Sequence, residues 1–357
     1  MKKYLAWVGL VVFSYFLICA SSQSLMKIVS ENRSQLPFLL KSDKYWYGDL
    51  YGFSFLSKFR KIESNGTMLP TSPMQSVRKN DLYILCDSYI YSFFNENMYY
   101  FSGIKNTYFT RWSEDTLLDS KKLKSKNSIL LIECVERNAF ARLKLAETTA
   151  RIGFISNDKV VKVPEKQSFH FPSVSSVGNW IKECFYHPTL ENNLDFVLFS
   201  RGIYRSFKEW KASLNLYFFN RTDNFVVLSK DASFLYLKET VDSTQISSSF
   251  YPYSNQELDE FVTNLNEIND YYLKAGFKKV LISIPANPVA ILQTEGKATN
   301  QFLNRLKKHP SLKVEIVDPS DSLKVNASQN YFKSDSHWNN NGAKIWLAYI
   351  NRSLEKI

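Results

Sequence analysis

Histidine is scarce in this chain, with four among 357 residues, and glycine is thin at 11. The four cysteines form no dense framework and no C-x-x-C pair, so neither a disulfide scaffold nor a zinc site is indicated. A dense Lys/Arg tract is also missing. The most basic stretch, "DSKKLKSKN" from Asp119 to Asn127, reads as a solvated loop. Nucleic acid is therefore not an expected partner, despite a net charge of +11 and a pI near 9.2. That charge suits an anionic lipid surface or an acidic polysaccharide instead.

Aromatic residues are plentiful, with 27 Phe and 21 Tyr, and 45% of the chain is hydrophobic, enough for a sizeable core. The N-terminus, "MKKYLAWVGLVVFSYFLICASSQ", has two lysines followed by an apolar run from Tyr4 to Cys19. This pattern predicts a signal peptide or signal anchor over residues 1–22, with the lysines left in the cytoplasm and the rest of the chain outside it. Cys86 and Cys134 fall in apolar strand-like runs and Cys184 in a helical one. Buried free thiols are the simplest expectation, and a Cys86–Cys134 bridge is the alternative.

Residues 23–79 read as a linker and irregular segment. From residue 80 onward, short apolar runs alternate with helical periods. Leu82 to Cys86 and Ser128 to Val135 predict buried strands. Residues 152–250 are less regular and form an expected insertion, in which "NFVVLSKDASFLYLKE" has the pattern of a β-hairpin. "SNQELDEFVTNLNEINDYYLKAGF" predicts a helix with a capping box at Ser254 and Glu257 and a stop at Gly276. "KKVLISIPAN" and "LKVEIVDPS" read as strands, and "NNNGAKIWLAYINRSLEK" as a terminal helix. The alternation predicts an α/β domain over 80–357 with a mainly parallel central sheet. Four polar clusters fall where those strands end or in the loops beyond them: Asp87-Ser88, Glu136-Arg137-Asn138, Pro285-Ala286-Asn287 and Asp335-x-His337. Carboxyl ends of strands are where sites gather in such sheets.

A serine hydroxyl becomes a nucleophile when a base takes its proton and an anion holds that base in one tautomer. Ser88, at a strand-to-helix turn, is the candidate nucleophile, and its backbone N–H is a candidate oxyanion donor. His337 is the candidate base and Asp335 its orienter.

"LYILCDSYIYSFF" resembles the first block of the SGNH (GDSL-type) hydrolase superfamily, and "DSHWNNNGA" resembles its last. His337, Asn339 and Gly342 match the spacing of that last block, while the aspartate lies two rather than three positions before the histidine. An Asp-x-His-Trp signature resembles the alginate-type polysaccharide O-acetyltransferase branch, as do "LLIECVERN", "FVVLSKDASFLYL" and "VLISIPANP". The serine block precedes the Asp-x-His-Trp block here, the reverse of that branch. Cys86 stands where the superfamily has glycine, and no glycine block is evident.

The resemblance implies an SGNH-like three-layer fold and a bacterial, extracytoplasmic enzyme tethered through its N-terminal helix. It implies transfer of acetyl groups to a cell-surface or exported polysaccharide through an acetyl-serine. Esterase activity and a non-catalytic glycan-binding role are the alternatives. It implies no cofactor and no metal, with acetyl groups delivered by a membrane-bound O-acyltransferase. Asn138 is the candidate for the second oxyanion donor. Arg137, Trp338 and Asn339 complete the expected substrate-binding set, with Arg137 against Glu136 and Trp338 as packing being the structural alternatives.

Overall fold

The computed structural model describes residues 2–21, 47–61, 79–91, 93–94, 100–119, 123, 127–154, 190–199, 202–293 and 295–357. Cys184, the helical period around it and most of the expected linker lie outside the described residues. Strands in chain order are β1 (Asn80–Cys86), β2 (Ile104–Arg111), β3 (Thr116–Leu118), β4 (Asn127–Glu133), β5 (Ile152–Phe154), β6 (Val226–Leu228), β7 (Leu235–Leu237), β8 (Lys279–Ser283) and β9 (Glu315–Val317). The helices begin with α1 (Lys2–Ser21), α2 (Tyr51–Ser54), α3 (Ser88–Tyr91), α4 (Glu136–Arg142), α5 (Leu145–Arg151), α6 (Leu190–Phe199) and α7 (Gly202–Phe219). They continue with α8 (Asn255–Ala275), α9 (Pro288–Leu292), α10 (Phe302–Lys307), α11 (Ser320–Lys324) and α12 (Asn340–Leu354).

Contacts divide the chain into two compact units, Met1–Glu63 with Lys162–Asp223, and Ser64–Val161 with Asn224–Ile357. The stretch expected as one insertion over 152–250 is thus split, with 162–223 in the first unit and 152–161 and 224–250 in the second.

The second unit is a mixed α/β fold around a five-stranded sheet of order β2-β1-β4-β8-β9, parallel throughout. β1 and β4 run almost wholly buried, as strands of a parallel sheet covered on both faces must. Their continuous apolar runs, rather than alternating ones, follow from that burial. β6 and β7 pair antiparallel where the hairpin pattern lies, and β3 pairs with β5 in a third, two-stranded sheet. The long helix α8 starts with a complete capping box between Ser254 and Glu257 and stops at Gly276, whose φ of 117° suits glycine. Its buried stripe of Leu258, Phe261, Val262, Leu265 and Ile268 joins the main core. The region from 136 to 151, read from sequence as one helix or an extended exit, is two short helices, α4 and α5.

From β1 the chain goes to one neighbour, β2, and then crosses back to β4 on the other side. The strand order reverses there, and sites in such sheets gather at switch points of this kind, outside the carboxyl ends of the strands. Ser88 lies one residue beyond Asp87 at the carboxyl end of β1.

The first unit is helical in its described residues. α1 is long and apolar enough to cross a membrane by length and composition, a test that a signal sequence also meets. Cys19 and Ala20 at its end are buried against Leu190 and Leu194 of α6.

Candidate functional site

The site is assembled from two loops. One is the turn from β1 into α3. Asp87 ends the strand pairing and opens the helix, its carbonyl accepting from the Tyr91 backbone N–H at 3.1 Å. Its carboxylate accepts from the Tyr89 N–H at 2.9 Å and from the Val135 N–H beyond β4 at 3.0 Å. The Asp87 N–H donates to the Glu133 carboxyl at 2.9 Å. The bonds to Val135 and Glu133 clasp the two strand ends beside Ser88, an exposed residue.

The other loop precedes α12. Tyr331 and Trp338 form a β-bridge across it, so residues 332–337 make a tight excursion. Asn339 caps α12 by accepting from the Asn341 and Gly342 N–H groups, which fixes the helix start two residues past Trp338. Gly342 is required there. A Cβ at this position would lie 2.6 Å from the Asn330 carbonyl oxygen and 2.6 Å from the Trp338 Cβ.

The loops meet at Tyr89. Its hydroxyl donates to the Ser336 carbonyl, and its own carbonyl accepts from the Trp338 indole N–H at 2.8 Å. Its ring lies 4.8 Å from the His337 imidazole, tilted by 48°. Held in this way, Ser88 Oγ and His337 Nε2 are 2.7 Å apart, although 249 residues separate them in sequence. His337 Nδ1 is 2.5 Å from Asp335 Oδ1, and the same oxygen accepts from the His337 backbone N–H at 3.0 Å. Asp335 is nearly buried, so its carboxylate competes little with water for that proton. With Nδ1–H donating to Asp335, Nε2 is left as an acceptor facing the serine hydroxyl.

Arg137 Nη1 donates to the Tyr89 hydroxyl at 3.5 Å, with the guanidinium 5.4 Å from the ring centre. Asn138 is half-buried in the first turn of α4, its N–H donating to the Val135 carbonyl at 2.9 Å. Two of the expected substrate-binding residues serve the fold in this structure, Trp338 in the packing role that its sequence position also allowed. Trp338 is 0% exposed and packs edge-on against Tyr89, so it has no face to offer a sugar. Asn339 spends its side-chain oxygen on the α12 cap and its amide on the Gln329 carbonyl at 2.7 Å. The cap through its side-chain oxygen explains why an asparagine precedes α12.

Cys86 and Cys134 are buried and free, so the bridge alternative is not realised. Burial pushes both thiols well above the ordinary range, with the nearby Asp87 and Glu133 carboxylates adding to it. Neither is a rival nucleophile, because a thiol must ionise to attack.

Two carboxyls behind the site stand out. Glu133 is wholly buried, and burial followed by the Asp87 carboxylate pushes it well above the usual range. Glu136 is also buried. It accepts from the Asn287 N–H at 2.8 Å and from the Ser249 hydroxyl at 3.3 Å, and its own N–H donates to the Pro285 carbonyl at 2.8 Å. The polar clusters after β4 and β8 are therefore joined to each other through Glu136.

Burial raises the Glu136 carboxyl to about 7, the two hydrogen bonds opposing the rise. The folded state then holds a proton that the unfolded chain releases at its ordinary value near 4.5. Stability from this group is complete below that lower value and is lost as pH rises towards 7, by about 3 kcal/mol in all. Thermal unfolding of the wild type should therefore shift downward between pH 5 and pH 7.5. Glu136→Gln should show a distinctly flatter profile, and parallel profiles would refute the assignment.

Sequence reading passed over Tyr89 and Glu133. An acid inside the apolar run "SILLIECV" was the available signal for Glu133. Nothing local marks Tyr89 among 21 tyrosines.

No family model, curated protein or solved structure matches this chain. What the site can do is carried by its own geometry.

Proposed function

We propose that this chain is an SGNH-type serine O-acetyltransferase, anchored by α1, that acts outside the bacterial cytoplasm on a cell-surface or exported polysaccharide. One observation carries the reading: Ser88 Oγ lies 2.7 Å from His337 Nε2 while Asp335 bonds the other ring nitrogen. The rival non-catalytic role would sit more easily with a serine and histidine held apart.

In this mechanism His337 Nε2 takes the Ser88 hydroxyl proton as Oγ attacks the carbonyl carbon of an acetyl donor. Asp335 stabilises the imidazolium. The donor's leaving oxygen or sulfur accepts the proton from Nε2 as its bond to the acetyl carbon breaks, leaving acetyl-Ser88. A sugar hydroxyl then attacks that ester, giving its proton to His337, and the serine is released with the proton returned to Oγ. The donor would be a membrane-bound O-acyltransferase, and the net charge of +11 suits an anionic glycan as acceptor. Asn138 and Arg137, on the helix beside Tyr89, are the candidates for carbonyl and substrate contacts.

Esterase activity is the second reading, favoured by the exposure of Ser88, which lets water reach an acetyl-serine. In that case water replaces the sugar hydroxyl and acetate leaves.

The test is labelling with a fluorophosphonate serine probe together with turnover of p-nitrophenyl acetate. Wild type should label at Ser88 and turn over the ester, and Ser88→Ala should lose both, on the order of 10³-fold in turnover. Equal signals in the two proteins would sink the reading. Adding a soluble oligosaccharide separates transferase from esterase, by acetyl-sugar against free acetate.

A further inference from the structure

The helix α7 has its polarity inverted. Phe207, Trp210, Leu214, Tyr217 and Phe218 recur at three- and four-residue spacings and so share one face. On that face Phe207, Trp210, Tyr217 and Phe218 are 68%, 65%, 82% and 66% exposed. On the opposite face the acidic residue Glu209 is buried. Its carboxylate accepts from the Tyr51 hydroxyl of α2 at 2.6 Å and forms an ion pair with Arg60 at 3.1 Å. A helix of a water-soluble surface shows the reverse, with charges outward and aromatics inward. Four large aromatics on one exposed face exceed what scattered surface hydrophobes explain.

We propose that this face of α7 lies in the interfacial layer of a lipid bilayer, the same membrane that α1 enters. Continuity within the first unit supports that occupant. The end of α1 is gripped by α6: Asn193 Nδ2 donates to the Ala20 carbonyl at 2.8 Å, beside the packing of Leu190 and Leu194 on Cys19 and Ala20. α7 begins three residues after α6 ends. Since α6 has ten residues, the start of α7 lies within roughly 20 Å of the membrane-length helix. Composition agrees with an interfacial position. Trp and Tyr prefer the headgroup level, where the ring is buried and the polar tip stays wet. Exposed Lys211, on the edge of the face, can extend its stem along the aromatics and its ammonium to anionic headgroups. This inference is independent of the acyl-transfer chemistry.

The test uses the full-length protein in vesicles of phosphatidylcholine with one part in four phosphatidylglycerol. The emission of Trp210 is obtained as wild type minus Trp210→Phe, a substitution that keeps an aromatic ring in place. In vesicles carrying lipid brominated near the headgroup, that component should lose most of its intensity, and it should be blue-shifted relative to tryptophan in water. Phe207→Gln/Phe218→Gln in the same protein should restore much of the intensity. A Trp210 component that bromolipid leaves unchanged would overturn the proposal. Quenching by aqueous acrylamide would then identify a water-facing helix, and protection from both quenchers would identify a protein partner or a second copy.

Discussion

Replacement of His337 by glutamine is expected to reduce acetyl-ester turnover on the order of 10⁴-fold, with the fold intact. The imidazole is positioned from three sides, by Asp335 at Nδ1, by Ser88 at Nε2 and by the Tyr89 ring. Glutamine fills similar space and offers an amide, but it cannot take a proton near neutral pH. Ser88 Oγ would then have to attack as a neutral hydroxyl, a poor nucleophile. The loss should appear in kcat and kcat/KM together, because a proton acceptor acts in the transition state and not in substrate binding. A double replacement sharpens the expectation. If serine and histidine act as one unit, Ser88→Ala with His337→Gln should be no slower than Ser88→Ala alone. Fully additive losses would mean that the two act separately, and a residual rate above a tenth of wild type in His337→Gln would dismiss it as the base.

The second large effect concerns stability and needs no catalytic assumption. Gly342→Ala places a methyl 2.6 Å from the Asn330 carbonyl oxygen and from the Trp338 Cβ. Neither atom lies at the end of a flexible side chain, so backbone must move. The Asn339 N–H bond to the Asn330 carbonyl, at 2.9 Å, and the α12 cap lie in the path of that movement. Overpacking of this kind should cost about 3 kcal/mol, and thermal unfolding should shift down by roughly 6–12 °C. Because Trp338 is bonded to the Tyr89 carbonyl, the displacement should also loosen the Ser88–His337 approach. Fluorophosphonate labelling of whatever folded protein remains should therefore fall as well. Unchanged unfolding temperature would show that the loop yields more easily than its contacts imply.

Much of the fold is legible locally. The runs at 82–86 and 128–133 read as buried strands because a parallel strand covered on both faces has no polar side to display. The capping box and Gly276 mark both ends of α8 because the orphan N–H and carbonyl groups at helix termini need partners wherever the helix sits. The candidate residues Ser88, Asp335 and His337 are legible because polar residue types stand out beside apolar runs, Ser88 just past β1 and the other two in the loop before α12. Less legible were the neighbours. Trp338 and Asn339 stand beside the histidine in sequence, yet one is core and the other a helix cap, because alternate residues of a tight loop face opposite ways. The split of 152–250 between two units left no local mark, since it depends on which distant segments its residues contact.

The sequence by itself determined the buried strands β1, β4 and β8, the helices α8 and α12, the membrane-length run at the N-terminus and the residue types available for chemistry. Those properties follow from interactions within a few residues. Only the tertiary structure decided that Ser88 meets His337, that Tyr89 joins their two loops, and that Glu136 binds the Asn287 segment. These contacts depend on the strand order β2-β1-β4-β8-β9, which sets which strand ends are neighbours. Strand order is settled by the packing of the whole core, and no single stretch of chain records it.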